Sequence, residues 1–247
     1  MAGLLGVMDS YHALASYYDL LINEEEAQRE YLKFTLENSK GDDYLELACG
    51  SGTLAAMLQE SCPSIHMRAS DLSEDMVKVA SEQYAHLPID FFVLDMCDLD
   101  EVSSYDTITC FCDSLNYVTD ITRVETLFKG VYKALRSGGV FLFDAHSQDR
   151  LEEFSEEYDE SYTLDELEYT WHIVSKEDRI YQTLRVWDDS VVPTYFFEEK
   201  HVQRVYDPNV LVEMLEKIGF KVCVKTDFTM DGIVSGEKQF FICKKED

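Results

Sequence analysis

Positive charge is scarce in this chain: 21 lysines and arginines stand against 49 aspartates and glutamates, a formal net charge of −28. Binding a phosphate backbone requires basic side chains that displace condensed counterions, so no nucleic acid is expected as a partner. Anionic membrane surfaces are poor partners for the same reason, so no membrane association is expected. No apolar run is long enough to span a bilayer. No charged-then-apolar leader is present either, Met1 to Val7 being too short for a signal's apolar region and its flanks, so the chain reads as cytoplasmic. The seven cysteines are scattered through apolar strands and turns and form no disulfide framework. Cys110-Phe111-Cys112 has no second Cys pair or His following at zinc spacing, so no metal site is expected. No heptad or long repeat is visible, which leaves oligomeric state, including a homodimer, open. A chain of 247 residues can bury one substantial core and carry an insertion.

The most informative segment is Tyr44-Leu45-Glu46-Leu47-Ala48-Cys49-Gly50-Ser51-Gly52-Thr53, an apolar strand ending in a small-residue turn that opens into a helix. Ala48, Gly50 and Gly52 keep bulk out of the turn, so a ligand can lie against the backbone and meet the unpaired N–H groups of the helix. Glu46 would repel a pyrophosphate but suits a ligand carrying an ammonium and a sulfonium. Gly50-Ser51-Gly52-Thr53-Leu54-Ala55 also fits the dinucleotide pattern G-x-G-x-x-A, which keeps an NAD(P)-dependent reading open. A second apolar segment, Ile65 to Ala69, stops at Asp71, 25 positions beyond Glu46, where an acid can grip ribose hydroxyls. A third, Ile89 to Leu94, is almost wholly apolar, as expected of a strand buried on both faces, and ends in Asp95. Ligands of open parallel sheets bind beyond the carboxyl ends of the strands, so Glu46, Asp71 and Asp95 are expected to converge on one crevice.

In the order and spacing of these pieces the chain resembles the class I S-adenosylmethionine-dependent methyltransferases over nearly its whole length. Glu46 to Gly52 looks like the family's first motif, with Ala48 where glycine is commonest. Asp71-Leu72-Ser73-Glu74-Asp75-Met76 and Asp95-Met96-Cys97 look like the second and third strand ends, and Tyr105 to Tyr117 like the fourth strand and its loop. Leu135-Arg136-Ser137-Gly138-Gly139-Val140-Phe141-Leu142-Phe143-Asp144 is similar to the helix, turn and fifth strand. The resemblance implies an α/β, Rossmann-like, doubly wound sheet, mostly parallel with a closing antiparallel hairpin, and S-adenosyl-L-methionine as cofactor. It also implies roles: Asp71 on the ribose, Asp95 and Met96 at the adenine edge, Leu72 and Met76 beside the base, and Glu46, Ala48 and Gly50 at the amino-acid end. Cys49 in the turn, Gly52 and Cys112 after the fourth strand complete that cofactor set. For each acid the alternative is a helix N-cap or a solvated strand end.

The segments divide the chain into an N-terminal helical cap at 1–40, a core at 41–147 and 207–247, and an insertion at 148–206. The cap reads as two helices, and Tyr17-Tyr18-Asp19 is similar to a family opening that folds over the cofactor. Tyr11, Tyr17 and Tyr18 either meet the sulfonium or substrate by ring-face attraction or simply pack. Helices are predicted over Thr53–Glu60, Glu74–Tyr84, Ile121–Leu135 and Asn209–Ile218. In the insertion, Tyr169–Ser175, Ile180–Trp187 and Tyr195–Tyr206 read as consecutive strands of a small antiparallel β lid. The acidic run from Leu151 to Glu168 is either a solvated surface or an electrostatic funnel for a cationic substrate. Phe220–Val224 and Gln239–Cys243 resemble the closing pair.

Methyl transfer needs alignment and exclusion of water more than side-chain chemistry, with a base only for a protonated acceptor. Asn116, His146 and Tyr17 are the catalytic candidates, and Tyr117, His201 and Arg204 the substrate-binding ones. His201 and Arg204 lie an odd number apart, so a regular strand points them to opposite faces. Asp113-Ser114-Leu115-Asn116-Tyr117 lacks both prolines of the Asn/Asp-Pro-Pro-Tyr/Phe motif, which disfavours adenine and glutamine amide acceptors. The expectation is methyl transfer to a small-molecule substrate, at N or O in preference to C. The alternatives are an oxidoreductase and a non-catalytic S-adenosylmethionine-binding protein.

Overall fold

The computed structural model describes residues 14–21 and 25–246. Five strands, β1 (Asp43–Leu47), β2 (His66–Asp71), β3 (Asp90–Val93), β4 (Tyr105–Cys110) and β5 (Leu135–His146), run parallel. The insertion follows, with β6 (Tyr158–Leu164), β7 (Leu167–Lys176), β8 (Arg179–Asp188) and β9 (Tyr195–Arg204) in one antiparallel sheet. The chain then returns through β10 (Phe220–Thr226), β11 (Met230–Asp231) and β12 (Lys238–Lys245) to complete an eight-stranded sheet in the order β11-β10-β12-β5-β4-β1-β2-β3. Strand order reverses between β1 and β4, which opens a crevice at the carboxyl ends of the parallel strands. This is the Rossmann-like fold expected, with β12 inserted antiparallel between β5 and β10.

The core helices start where the sequence supplies caps. Ser73 accepts from the Met76 N–H at the head of Glu74–Gln83, Asp120 from Thr122 before Ile121–Ala134, and Asp207 from Asn209 before Pro208–Ile218, where proline occupies the first turn. With Thr53–Ser61, each lies within a residue or two of its predicted span. The helices Ile121–Ala134 and Pro208–Ile218 cover one sheet face, Phe128 of the first packing on Phe141 and Phe143, beside Phe241. The last two rings stack with centroids 4.4 Å apart. The helices Glu25–Asn38 and Thr53–Ser61 cover the other face, over Tyr31, Phe34, Leu142 and Phe240.

Three expectations are corrected. β3 is the sheet's edge rather than a strand buried on both faces, and Val93 is exposed. At that edge Phe91 packs on one face, towards Ala69 and the first turn's Gly52, and Phe92 on the other, under the Arg68 guanidinium, each only partly buried. The described part of the cap before residue 22 is a single 3-10 turn (Leu14–Ser16) and one helical turn (Tyr18–Leu21), and only Glu25–Asn38 is a full helix. The acidic run contains a short helix, Asp149–Glu153, and a fourth lid strand, β6. Within that run Tyr158, Tyr162 and Leu164 fall at even spacing opposite Ile173, Tyr169 and Leu167, so the strand forms on an apolar stripe hidden among acids.

The lid sheet packs on the start of the chain. Leu14, Leu21, Leu167, Leu184, Val186 and Phe197 make one apolar cluster. The Leu14 N–H donates to Glu199 Oε1 at 2.9 Å and the Tyr17 hydroxyl to Asp188 Oδ2 at 2.8 Å.

Candidate active site

The turn after β1 is shaped by its backbone. Ala48 and Gly50 both take left-handed conformations, φ 53° and 54°, which costs alanine roughly 1–2 kcal/mol and glycine nothing. A side chain on Gly50 would stand 3.6 Å from the Tyr18 ring, which lies over the turn. Asp71, at the end of β2, ties the turn down: Oδ2 accepts from the Gly50 N–H and Oδ1 from the Ser73 N–H, each at 2.9 Å. Asp19 accepts from the Ser51 hydroxyl and from Gln83, so Tyr17, Tyr18 and Asp19 in succession touch the lid, the turn and the core.

Glu46 points out of β1 only 4% exposed, and its Oε2 has no hydrogen-bond partner among the described residues. Burial, against a hydrogen bond from the Ala55 N–H and with help from the Asp71 charge, pushes its carboxyl up to about 8. It lies in a small cavity with Tyr18, Ala48, Cys49, Gly50 and Cys112. A neighbouring cavity of about 410 Å³ is lined by Asp71, Leu72, Met76, Leu94, Asp95 and Met96, with Tyr117 and His201 on its far side. Here Asp95 Oδ2 is bridged to Arg123 at 2.6 Å, while Oδ1 accepts from the Cys97 N–H at 2.9 Å.

A larger cavity, about 770 Å³, lies between the sheet's edge loops and the lid. Its polar floor comes from four strand ends. Asp113 follows β4 in a left-handed turn with Cys112, Asp144 and His146 end β5, and Lys238 opens β12 directly opposite His146. Lys238 Nζ stands 2.6 Å from Asp113 Oδ1, 3.2 Å from Asp144 Oδ2 and 3.0 Å from the Tyr31 hydroxyl. Burial alone would lower the ammonium's pKa, but the Asp113 and Asp144 charges hold it above the usual lysine value. Asp113, despite burial, is held below the ordinary carboxylate range by Lys238 and His146, whereas burial raises Asp144. Gln203, from β9, donates to Asp113 Oδ2 and accepts from Gln182 at 2.7 Å, and its Oε1 is 3.0 Å from His146 Nε2. Since Gln203 presents its oxygen to His146, Nε2 carries the hydrogen, and the buried Nδ1 has no partner among the described residues.

A family profile described as a methyltransferase domain matches residues 45–139, the stretch from β1 into β5. A protein of Geobacillus sp. strain WCH70 named as a methyltransferase is 28% identical over 252 residues, covering 96% of this chain and 100% of its own length. Among solved structures, an S-adenosylmethionine-dependent methyltransferase from Clostridium acetobutylicum ATCC 824 is similar with a TM-score of 0.83 and 27% identity, over 96% of this chain and 99% of that one. The CcbJ methyltransferase from Streptomyces caelestis shares the fold at a TM-score of 0.81 and 15% identity, with 98% of each chain covered.

The chain is an S-adenosylmethionine-dependent methyltransferase.

Its cofactor is S-adenosylmethionine, which sets the dinucleotide reading aside. The residues present fit that group. A buried carboxyl with an orphaned oxygen beside a bare backbone turn suits an ammonium or sulfonium, and a phosphate in its place would meet two acids, Glu46 and Asp71.

Of the residues singled out from sequence, Tyr18, Glu46, Ala48, Cys49, Gly50, Asp71, Leu72, Met76, Asp95, Met96 and Cys112 line the cavity of about 410 Å³ or the small one beside it. Tyr117, His146 and His201 line the large one. Tyr11 lies outside the described residues. Four others face elsewhere. A side chain on Gly52 would meet Phe91 at 2.7 Å, so this glycine serves helix-to-strand packing. Asn116 is fully buried, donating to the Arg204 carbonyl and accepting from the His146 N–H, which makes it a strut beneath the loop. Tyr17 is engaged with Asp188 and the Phe197 ring. Arg204 grips Asp178 and lies over the Tyr206 ring, on the opposite face of β9 from His201 as its spacing required.

Asp113, Lys238 and Tyr31, which line the large cavity, and the buried Asp144 and Gln203 that brace them were not singled out from sequence. The one available signal was Asp144, a lone acid inside Phe141-Leu142-Phe143-Asp144-Ala145-His146, since a buried charge demands a partner.

Proposed function

We propose that this methyltransferase acts on a small-molecule acceptor seated in the large cavity, and that the atom methylated is nitrogen or oxygen. The observation that carries this reading is the meeting of the cavities: Tyr18 and Ser114 line all three. When bound, the cofactor supplies an activated methyl on a sulfonium with a good leaving group. Glu46 and the N–H groups of the turn hold its amino-acid end, Asp71 uses its remaining lone pairs for the ribose hydroxyls, and Leu72, Met76 and Met96 flank the base. Asp95 shares its carboxylate between the adenine edge and Arg123. Tyr18 presents a ring where positive charge would lie.

The lid and residues 14–21 cover the cavity, in the part of an inserted lid and a cap. That enclosure excludes water and holds the acceptor in line, and orientation of this kind supplies about 7–11 kcal/mol of a barrier. A hydroxyl or a protonated amine must lose a proton to become the nucleophile, and proton-accepting groups such as His146 and Asp113 line the cavity. The test is incubation with methyl-labelled cofactor and fractionated cell extract. Label in the low-molecular-weight fraction is the expected result; label on macromolecules alone overturns the reading.

A further inference from the structure

We infer that the acceptor is a cationic amine and that His146 removes its proton, an inference that rests on the methyl-transfer reading above. Among the described residues five carboxylates line the large cavity, Asp113, Glu153, Glu160, Asp227 and Glu237, against two cations, Arg150 and Lys238. Both cations are occupied: Arg150 by Glu153 at 2.6 Å, and Lys238 by Asp113 and Asp144. Glu160, Asp227 and Glu237 make no ion pair with the described residues. Glu160 accepts from the Tyr158 and Tyr162 hydroxyls and Asp227 from the Glu237 and Lys238 N–H groups, so their charges are hydrogen-bonded but not neutralised; an anionic acceptor would meet this excess of negative charge with no unoccupied cation among the described residues, while an ammonium would meet what it needs. The remaining wall strengthens the same choice. Trp171, held by its indole N–H on Gln182 at 3.0 Å, and Tyr158 are part of that wall, and aromatic faces attract cations and not anions.

Acids and rings alone would make only a favourable surface. His146 makes it a site. It lines the cavity 7% exposed, its Nε2–H is committed to Gln203, and its Nδ1 lone pair has no partner among the described residues. Left buried without a donor, such an acceptor carries an uncompensated desolvation cost, which an ammonium N–H offsets on binding. The ammonium proton passes to His146 Nδ1, and Asp113 Oδ2, 3.4 Å from Nε2, stabilises the imidazolium. The freed nitrogen lone pair forms the N–C bond to the methyl carbon as the C–S bond breaks, its electron pair remaining on sulfur as a neutral thioether. The imidazolium then returns its proton to water.

The test uses the full chain saturated with S-adenosylhomocysteine and three probes of matched size: tyramine, N-acetyltyramine and 3-(4-hydroxyphenyl)propionate. Calorimetry should show tyramine binding at least tenfold more tightly than either of the others, the preference shrinking as salt rises. In Glu160→Gln/Glu237→Gln, tyramine affinity should fall about tenfold with N-acetyltyramine unchanged. In His146→Ala, methylation of tyramine should fall at least a hundredfold while its binding changes much less. Equal affinities, preference for the carboxylate or no binding by any probe overturns the amine assignment. Wild-type methylation by His146→Ala overturns the base. Failure to bind S-adenosylhomocysteine would instead overturn the underlying reading, so the two failures are distinguishable.

Discussion

The cofactor crevice and the acceptor cavity share Tyr18 and Ser114 yet are built on opposite principles. The crevice is made of backbone turns at consecutive strand ends, so its parts are short contiguous stretches: 46–52, 71–76 and 95–97. The cavity floor is made of single side chains from β4, β5, β9 and β12, held by one buried charge cluster. A site built from main chain tolerates side-chain drift and binds a constant ligand. A site built from side chains can be re-specified one residue at a time, and its parts depend on one another.

The largest expected break is on the acceptor side. Lys238→Ala leaves Asp113 and Asp144 buried together without their ammonium and should cost about 3–5 kcal/mol in urea unfolding. A loss below 1 kcal/mol would mean that the cluster is not held by that charge. On the cofactor side, Asp71→Ala removes the acceptor of two turn N–H groups and, on the proposed assignment, of the ribose. Affinity for S-adenosylhomocysteine should fall about 100-fold, ~2.7 kcal/mol, while tyramine still binds at its own weaker level. Asn116→Ala should cost about 2 kcal/mol of stability through two lost buried hydrogen bonds, with cofactor affinity preserved. Loss of cofactor binding there would return Asn116 to the site.

Glu46 sharpens the contrast through pH. Its folded pKa of about 8 lies above the ordinary 4.5, so the folded state binds the extra proton. Ligand-free stability should therefore fall as pH rises from about 4.5 towards 8, and Glu46→Gln should flatten that slope. A cation seated beside Glu46 favours the carboxylate, so cofactor binding at pH 7 should release a fraction of a proton. Calorimetry in buffers of different ionisation enthalpy measures this, and no release in the wild type would place the cation elsewhere. The smallest effect belongs to Arg204→Gln, a partly exposed pair worth about 0.2–1 kcal/mol, with no change in acceptor binding.

The crevice was legible in sequence because strand-end turns keep their residues adjacent: Glu46, Ala48, Gly50 and Asp71 could be read with no knowledge of packing. Gly52 misled because a glycine that admits a ligand and one that admits the Phe91 ring look alike in one dimension. Asn116 misled similarly, since a polar residue after a strand can face the crevice or brace the loop behind it. Strand β6 was hidden because charged residues dominate its composition while only its alternate positions pair with β7.

Sequence alone determined the doubly wound core and the small-residue turn at its first strand end, because hydrophobic periodicity and turn chemistry act between near neighbours along the chain. Only the tertiary structure decided the acceptor end. Lys238 and Asp113 lie 125 positions apart, and nothing but the antiparallel entry of β12 beside β5 brings that ammonium to those two acids.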